Sequence, residues 1–130
     1  MRGLGEHLGL GLRVQVLHAL RTNPRTILLG TASFWEGVDV PGNALRLVVL
    51  DKIPFAVPTD PIVVARSRAI EQAGGSPFSE YSVPSAAISL KQGFGRLLRT
   101  HDDAGVVALL DARVHTRSYG KRLLASLPPA

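Results

Sequence analysis

Two short, almost wholly apolar runs, Leu45–Leu50 (LRLVVL) and Gly105–Leu110 (GVVALL), constrain this chain more than any other feature. Each is of strand length and ends in polar residues, as a buried strand does. Between them lie two stretches that read as helices. Asp60-Pro61 opens the first, with aspartate as N-cap and proline in the first turn, and that helix runs to about Gln72 before Gly74-Gly75. The second starts at Pro84 and continues through Arg99. Strands separated by helices give an α/β sheet, largely parallel, and runs this apolar suit a sheet covered on both faces.

The remaining segments fit that scheme. Val14–Leu20 reads as a helix stopped by Asn23-Pro24, and a further strand is the alternative within residues 12–20. Thr26–Leu29 reads as a short buried strand ending at Gly30. Residues 52–61 hold three prolines and form no regular element. Ser76–Ser82 is expected to be a loop, His101–Gly105 a polar turn, and Thr116–Ser126 a closing helix. Gly3-Leu4-Gly5 opens like a dinucleotide fingerprint, but Leu8 stands where its last glycine belongs and no strand precedes it.

Composition narrows the classes. With 130 residues the chain is one domain's worth, and 45% hydrophobic residues suit a folded chain. The net charge is +5, with twelve arginines among fifteen basic residues. That balance permits contact with a polyanion, and base composition of the gene is the plainer source of it. No cysteine is present, which excludes disulfides and thiolate metal sites. His7, His18, His101 and His115 lack metal-ligand spacing, so no metal site is expected. No apolar run is long enough to span a membrane, and the glycine-broken amino terminus is no convincing signal peptide. A cytoplasmic location without a membrane partner is the expectation.

The chemistry concentrates in Gln92-Gly93-Phe94-Gly95-Arg96-Leu97-Leu98-Arg99. Residues three and four apart share a helix face. Arg96 and Arg99 can therefore present two planar, permanently charged forks side by side, with Gln92 on the same face. Such forks suit a triphosphate, because guanidinium holds phosphate oxygens bidentately. The plainer alternative is a solvated helix face.

The spacing Q-x-x-G-R-x-x-R resembles motif VI of superfamily 2 helicases. Upstream, Gly30-Thr31-Ala32-Ser33-Phe34-Trp35-Glu36-Gly37-Val38-Asp39-Val40-Pro41-Gly42 is similar to motif V of the DinG and XPD branch of that superfamily. Lys52–Pro61, Asp102–Arg113 and Tyr119-Gly120-Lys121 also match, in order, so the resemblance runs from about Ile27 to Pro128. It implies the second RecA-like motor domain of an ATP-dependent DNA helicase, over residues 26–130. Residues 1–25 are then a poorly defined segment, and the sheet is expected to be incomplete at the amino terminus.

The resemblance also implies roles. Arg99 is the arginine finger, Arg96 its partner at the γ-phosphate, and Gln92 positions water or meets the opposing domain. Gly95 belongs with the nucleotide side of motif VI. In motif V, Thr31 and Ser33 hold a DNA phosphate, with local backbone capping as the alternative. Glu36, Gly37 and Asp39 lie toward the nucleotide, Asp39 accepting from a ribose hydroxyl or bracing a turn. Lys52 either touches a DNA phosphate or is simply solvated. Phe34, Trp35, Phe55, Phe78 and Tyr81 stack on bases or belong to the core. Asp111 is expected to anchor a neighbouring loop.

The implied ligands are single-stranded DNA, ATP and magnesium, and the implied partner is the first motor domain. No G-x-x-x-x-G-K-[ST] and no acidic box occurs, so that first domain is expected to hold most of the nucleotide and its Mg2+. An iron–sulfur cluster carried by some relatives would lie there too, not in this chain. Two alternatives stay open: a non-catalytic remnant of a truncated gene that binds phosphate or nucleic acid, and a nuclease-fused relative. An RNA track is also open.

Overall fold

The computed structural model describes residues 14–23, 25–31, 40, 44–97 and 104–128. Two units are distinguished: Met1–Leu47 with Arg96–Val106, and Val48–Gly95 with Val107–Ala130.

In the first unit a helix, α1, covers residues 14–22. Its end is tied off by Asn23, whose amide donates to the Ala19 carbonyl at 2.9 Å and whose side-chain oxygen accepts from the Arg25 amide at 3.0 Å. The helix thus ends at Asn23, where a stop was expected, and it displaces the alternative strand at residues 14–20. Residues 26–30 are not a strand. Ile27 and Leu29 stand 85% and 90% exposed. A strand exists only through the ladder it shares, and among the described residues none pairs with this segment.

Two strands pair. β1 (Leu47–Leu50) and β2 (Val106–Leu109) form a two-stranded sheet. Val106 donates to the Arg46 carbonyl and Leu110 to the Leu50 carbonyl, both at 2.9 Å. The register advances equally on both strands, so the pair is parallel. The sheet is not covered on both faces, since Leu47, Val49 and Val106 are each more than half exposed.

The crossover carries α2 (Pro61–Gln72) and α3 (Val83–Leu97). α2 starts where the sequence places it. Asp60 accepts from the amides of Ile62 and Val63 at 2.8 and 3.4 Å, occupying donors that the first helical turn leaves free. It ends at Gly74, whose φ of 80° is the left-handed conformation that glycine adopts without penalty. There Gly75 donates to the Ile70 carbonyl and Gly74 to that of Glu71, closing the helix end.

Phe78–Ser82, expected as a loop, is a π-helical turn fused to the start of α3, with Val83 donating to the Phe78 carbonyl. Glu80 fastens its entry, accepting from the Ser76 amide at 2.9 Å while its own amide donates to the Ser76 carbonyl. Along α3, Val83, Ala86 and Leu90 are buried, with Gly93 continuing the same stripe. Leu90 is fully buried, which contributes about 1.5–3 kcal/mol.

The closing helix expected over Thr116–Ser126 forms only as α5 (Gly120–Ala125), and a short helix, α4 (Arg113–Thr116), precedes it. Arg117 is extended between them. The return is tight because Gly120 lies against the Val114 backbone, where a Cβ would overlap the carbonyl. Among the described residues no helix is long and apolar enough to cross a membrane.

Candidate functional site

α3 carries the motif VI run. Gln92 and Gly95 are exposed, off the buried stripe, and nothing lies within 4 Å of where a Gly95 Cβ would sit. The backbone of Arg96 is helical, in the last turn of α3. The side chain of Arg96 and the whole of Arg99 lie outside the described residues. In motif V, Thr31 is exposed at the end of the segment after α1. Ser33, Glu36, Gly37 and Asp39, with Phe34 and Trp35, lie outside the described residues.

A second constellation sits where both parallel strands end. Asp51, Lys52, Leu110, Asp111, Ala112 and Arg113 line an open cleft of about 500 Å³. The carboxyl ends of parallel strands are where α/β sheets place ligands, because successive loops diverge there. Lys52 is exposed on this cleft and makes no ion pair among the described residues.

Asp111 builds the floor of the cleft. It is buried, and its Oδ2 accepts from the Ile53 amide at 2.9 Å. Its Oδ1 accepts from the Arg113 amide at 3.0 Å. The Arg113 guanidinium closes on both oxygens, with Nη2 at 2.6 Å from Oδ2. That guanidinium holds the Asp111 carboxyl well below the usual carboxylate range, against the opposing effect of burial. Asp111 in turn raises the pKa of Arg113. The expected loop anchor is thus present, and its partner is the loop after β1.

Arg113 also lies over the Phe55 ring, 5.7 Å from its centroid. Phe55 meets Phe78 at 5.6 Å and Tyr119 edge-on at 5.7 Å, and Phe78 meets Tyr119 at 5.2 Å. Tyr81 lies apart from this cluster, its ring 5.5 Å from the guanidinium carbon of Arg66 on α2. The packing of Arg113 and Tyr119 around Phe55 was missed from sequence. An Asp-x-Arg directly after an apolar strand was the available signal for the first. Tyr119 stood in the matched Tyr119-Gly120-Lys121 block, but nothing local showed its ring partners. Among the described residues, no three His, Cys, Asp or Glu gather as metal ligands.

The α/β scaffold, a parallel strand pair joined through a helical crossover, is of RecA-like class. The chain belongs to the helicase C-terminal domain family, whose model matches residues 10–130. It is 49% identical, over 89% of its length, to the ATP-dependent DNA helicase YoaA of Escherichia coli (strain K12). It is 53% identical, over 80% of its length, to the ATP-dependent DNA helicase DinG of Photobacterium profundum. To the 3'-5' exonuclease DinG of Bacillus subtilis (strain 168) it is 40% identical over 88% of its length. The chain spans 18%, 15% and 12% of those three relatives.

Proposed function

We propose that residues 26–130 act as the second motor domain of an ATP-dependent DNA helicase of DinG type, one that moves along single-stranded DNA. The observation that carries this reading is the Gln92–Gly95–Arg96 run on α3, with Gln92 and Gly95 turned to solvent and no side chain crowding Gly95. A partner surface or ligand can approach there without displacing the core.

In this reading Arg99 and Arg96 bring fixed positive charge to the transferring phosphoryl group, where it acts at the transition state. Gln92 orients water or meets the opposing domain. Glu36, Gly37 and Asp39 face the nucleotide, while Thr31, Ser33 and Lys52 contact the DNA backbone, which positions the strand without reading its sequence. The described residues do not fit magnesium, having no cluster of carboxylates or histidines. In this reading the first motor domain holds the metal and most of the triphosphate, because this sequence has no G-x-x-x-x-G-K-[ST] and no acidic box, and this chain alone does not turn over ATP.

The test is ATP hydrolysis with single-stranded DNA, by this chain alone and mixed with a separately expressed first motor domain. Turnover only in the mixture, lost in Arg99→Ala, is expected. Turnover by the chain alone that disappears in Arg99→Ala overturns the split of labour. No turnover in either case, with folding retained, favours the non-catalytic remnant.

A further inference from the structure

The Phe55, Phe78 and Tyr119 rings lie outside motifs V and VI and take no part in the motor chemistry proposed above; the sequence left Phe55 and Phe78 open between base stacking and core. The rings come from three separate segments: the loop after β1, the π-helical turn, and the link between α4 and α5. A cluster that served only as core would bury its members. Phe78 instead stays 46% exposed. The cluster is also continuous with the cleft at the strand ends, because Arg113 both lines that cleft and covers Phe55.

The segment that carries Tyr119 is cationic. From Ala112 to Pro128 the chain carries Arg113, Arg117, Lys121 and Arg122 and no carboxylate. Arg117 and Lys121 flank Tyr119 and are exposed. Arg113 is neutralised by Asp111, and among the described residues no ion pair holds the other three cations. Exposed aromatic area beside exposed cations is the composition of a single-strand platform: rings take base faces, and cations take the phosphates between them.

We propose that the Phe55–Phe78–Tyr119 cluster, with the cationic segment carrying Tyr119, is a stacking platform for single-stranded nucleic acid. Phe78 receives a base, Phe55 and Tyr119 hold its ring in place, and the cations of the segment meet the backbone. Asp111 sets the platform by fixing the loop that bears Phe55. The inference rests on the single-strand reading above but involves none of the arginine chemistry.

The experiment is a fluorescence-anisotropy titration of the 130-residue chain with labelled oligothymidine and with an abasic oligomer of equal length, without ATP or the first motor domain. Phe78→Ala is expected to weaken oligothymidine binding about tenfold, the order that one base–aromatic stack contributes. Phe78→Leu, which keeps apolar volume but has no ring face, shows the same loss, and Phe78→Trp restores binding. The abasic oligomer binds more weakly to the wild type and is insensitive to all three changes. Equal binding of oligothymidine by the wild type and folded Phe78→Leu overturns the platform, as does equal wild-type affinity for the two oligomers. Either result leaves the Arg99 reading standing, because that reading is judged by ATP turnover, which this titration does not contain.

Discussion

The carboxylate of Asp111 accepts a hydrogen bond from the backbone amide of Ile53, 58 residues earlier in the chain, at 2.9 Å. Ile53 is buried, so no water replaces that acceptor if it is removed. Asp111→Ala should therefore cost about 1–3 kcal/mol, the penalty for a buried donor left without a partner. The Arg113 pairing adds little, because its side chain is 43% exposed and solvent screens it. Asp111→Asn, which keeps an acceptor oxygen, should lose less. Urea denaturation of the three proteins checks the order, and an Ala variant as stable as the wild type would refute it.

The same carboxylate sets an acid dependence. The Arg113 guanidinium and the Ile53 amide hold Asp111 below its ordinary pKa, while burial opposes them. Unfolded, the group titrates at about 3.9. The folded state thus binds the proton less readily, and the stabilisation is fully present above about pH 4. It fades as pH falls from there through the lower folded value. The stability gap between wild type and Asp111→Asn should be constant at neutral pH and narrow below about pH 4. Urea midpoints at several acidic pH values measure it; a gap that widens there contradicts the assignment.

Two glycines make opposite predictions. Gly120→Ala drives a methyl group into the Val114 carbonyl, a backbone atom that cannot rotate away. It should destabilise by about 1–3 kcal/mol or more, the range for overpacked sites. Gly95→Ala meets nothing within 4 Å and lies within α3. On helix propensity alone it should stabilise by up to about 1 kcal/mol. If Gly95 leaves room for the nucleotide side of the motor, the same variant should lower DNA-stimulated ATPase in the reconstituted mixture while its melting temperature rises. A rise in melting temperature with unchanged turnover would remove Gly95 from the site.

Local chemistry was legible wherever one residue decides the outcome. Asp60-Pro61 announced the start of α2, and Gly74 its end, because a side-chain cap and a left-handed φ need no distant partner. The apolar runs located β1 and β2. Thr26–Leu29 has the same apolar character, but a strand depends on a ladder partner that residue type does not specify. The π-helical turn at Phe78–Ser82 was hidden because five residues with i→i+5 hydrogen bonds leave no apolar periodicity to read. The break at Arg117 follows from Gly120 lying against Val114, a contact no periodicity reveals.

At the site, Asp111 could be read as an anchor from its position after a strand, while its partner Ile53 could not. The motif VI run was readable because Gln92, Gly95 and Arg96 keep helical spacing on one element. The Phe55–Phe78–Tyr119 cluster was not, since three distant segments converge to make it. Sequence had separated Phe55 and Phe78 from Tyr119 and grouped them instead with Tyr81, whose ring partner is Arg66.

The parallel pairing of β1 with β2 imposes an order of events on a growing chain. β1 is synthesised first, and its partner appears only after α2, the π-helical turn and α3 have been made. Until then the amide of Ile53 lacks its Asp111 acceptor and, among the described residues, β1 has no partner strand. Helices close through local contacts and can form during that wait, whereas the long-range pairing cannot. Hydrogen-exchange pulse labelling during refolding should find the α2 amides protected before that of Ile53. The interval between the two is the time this chain spends with an open strand edge, the period in which a second nascent copy could pair with it instead.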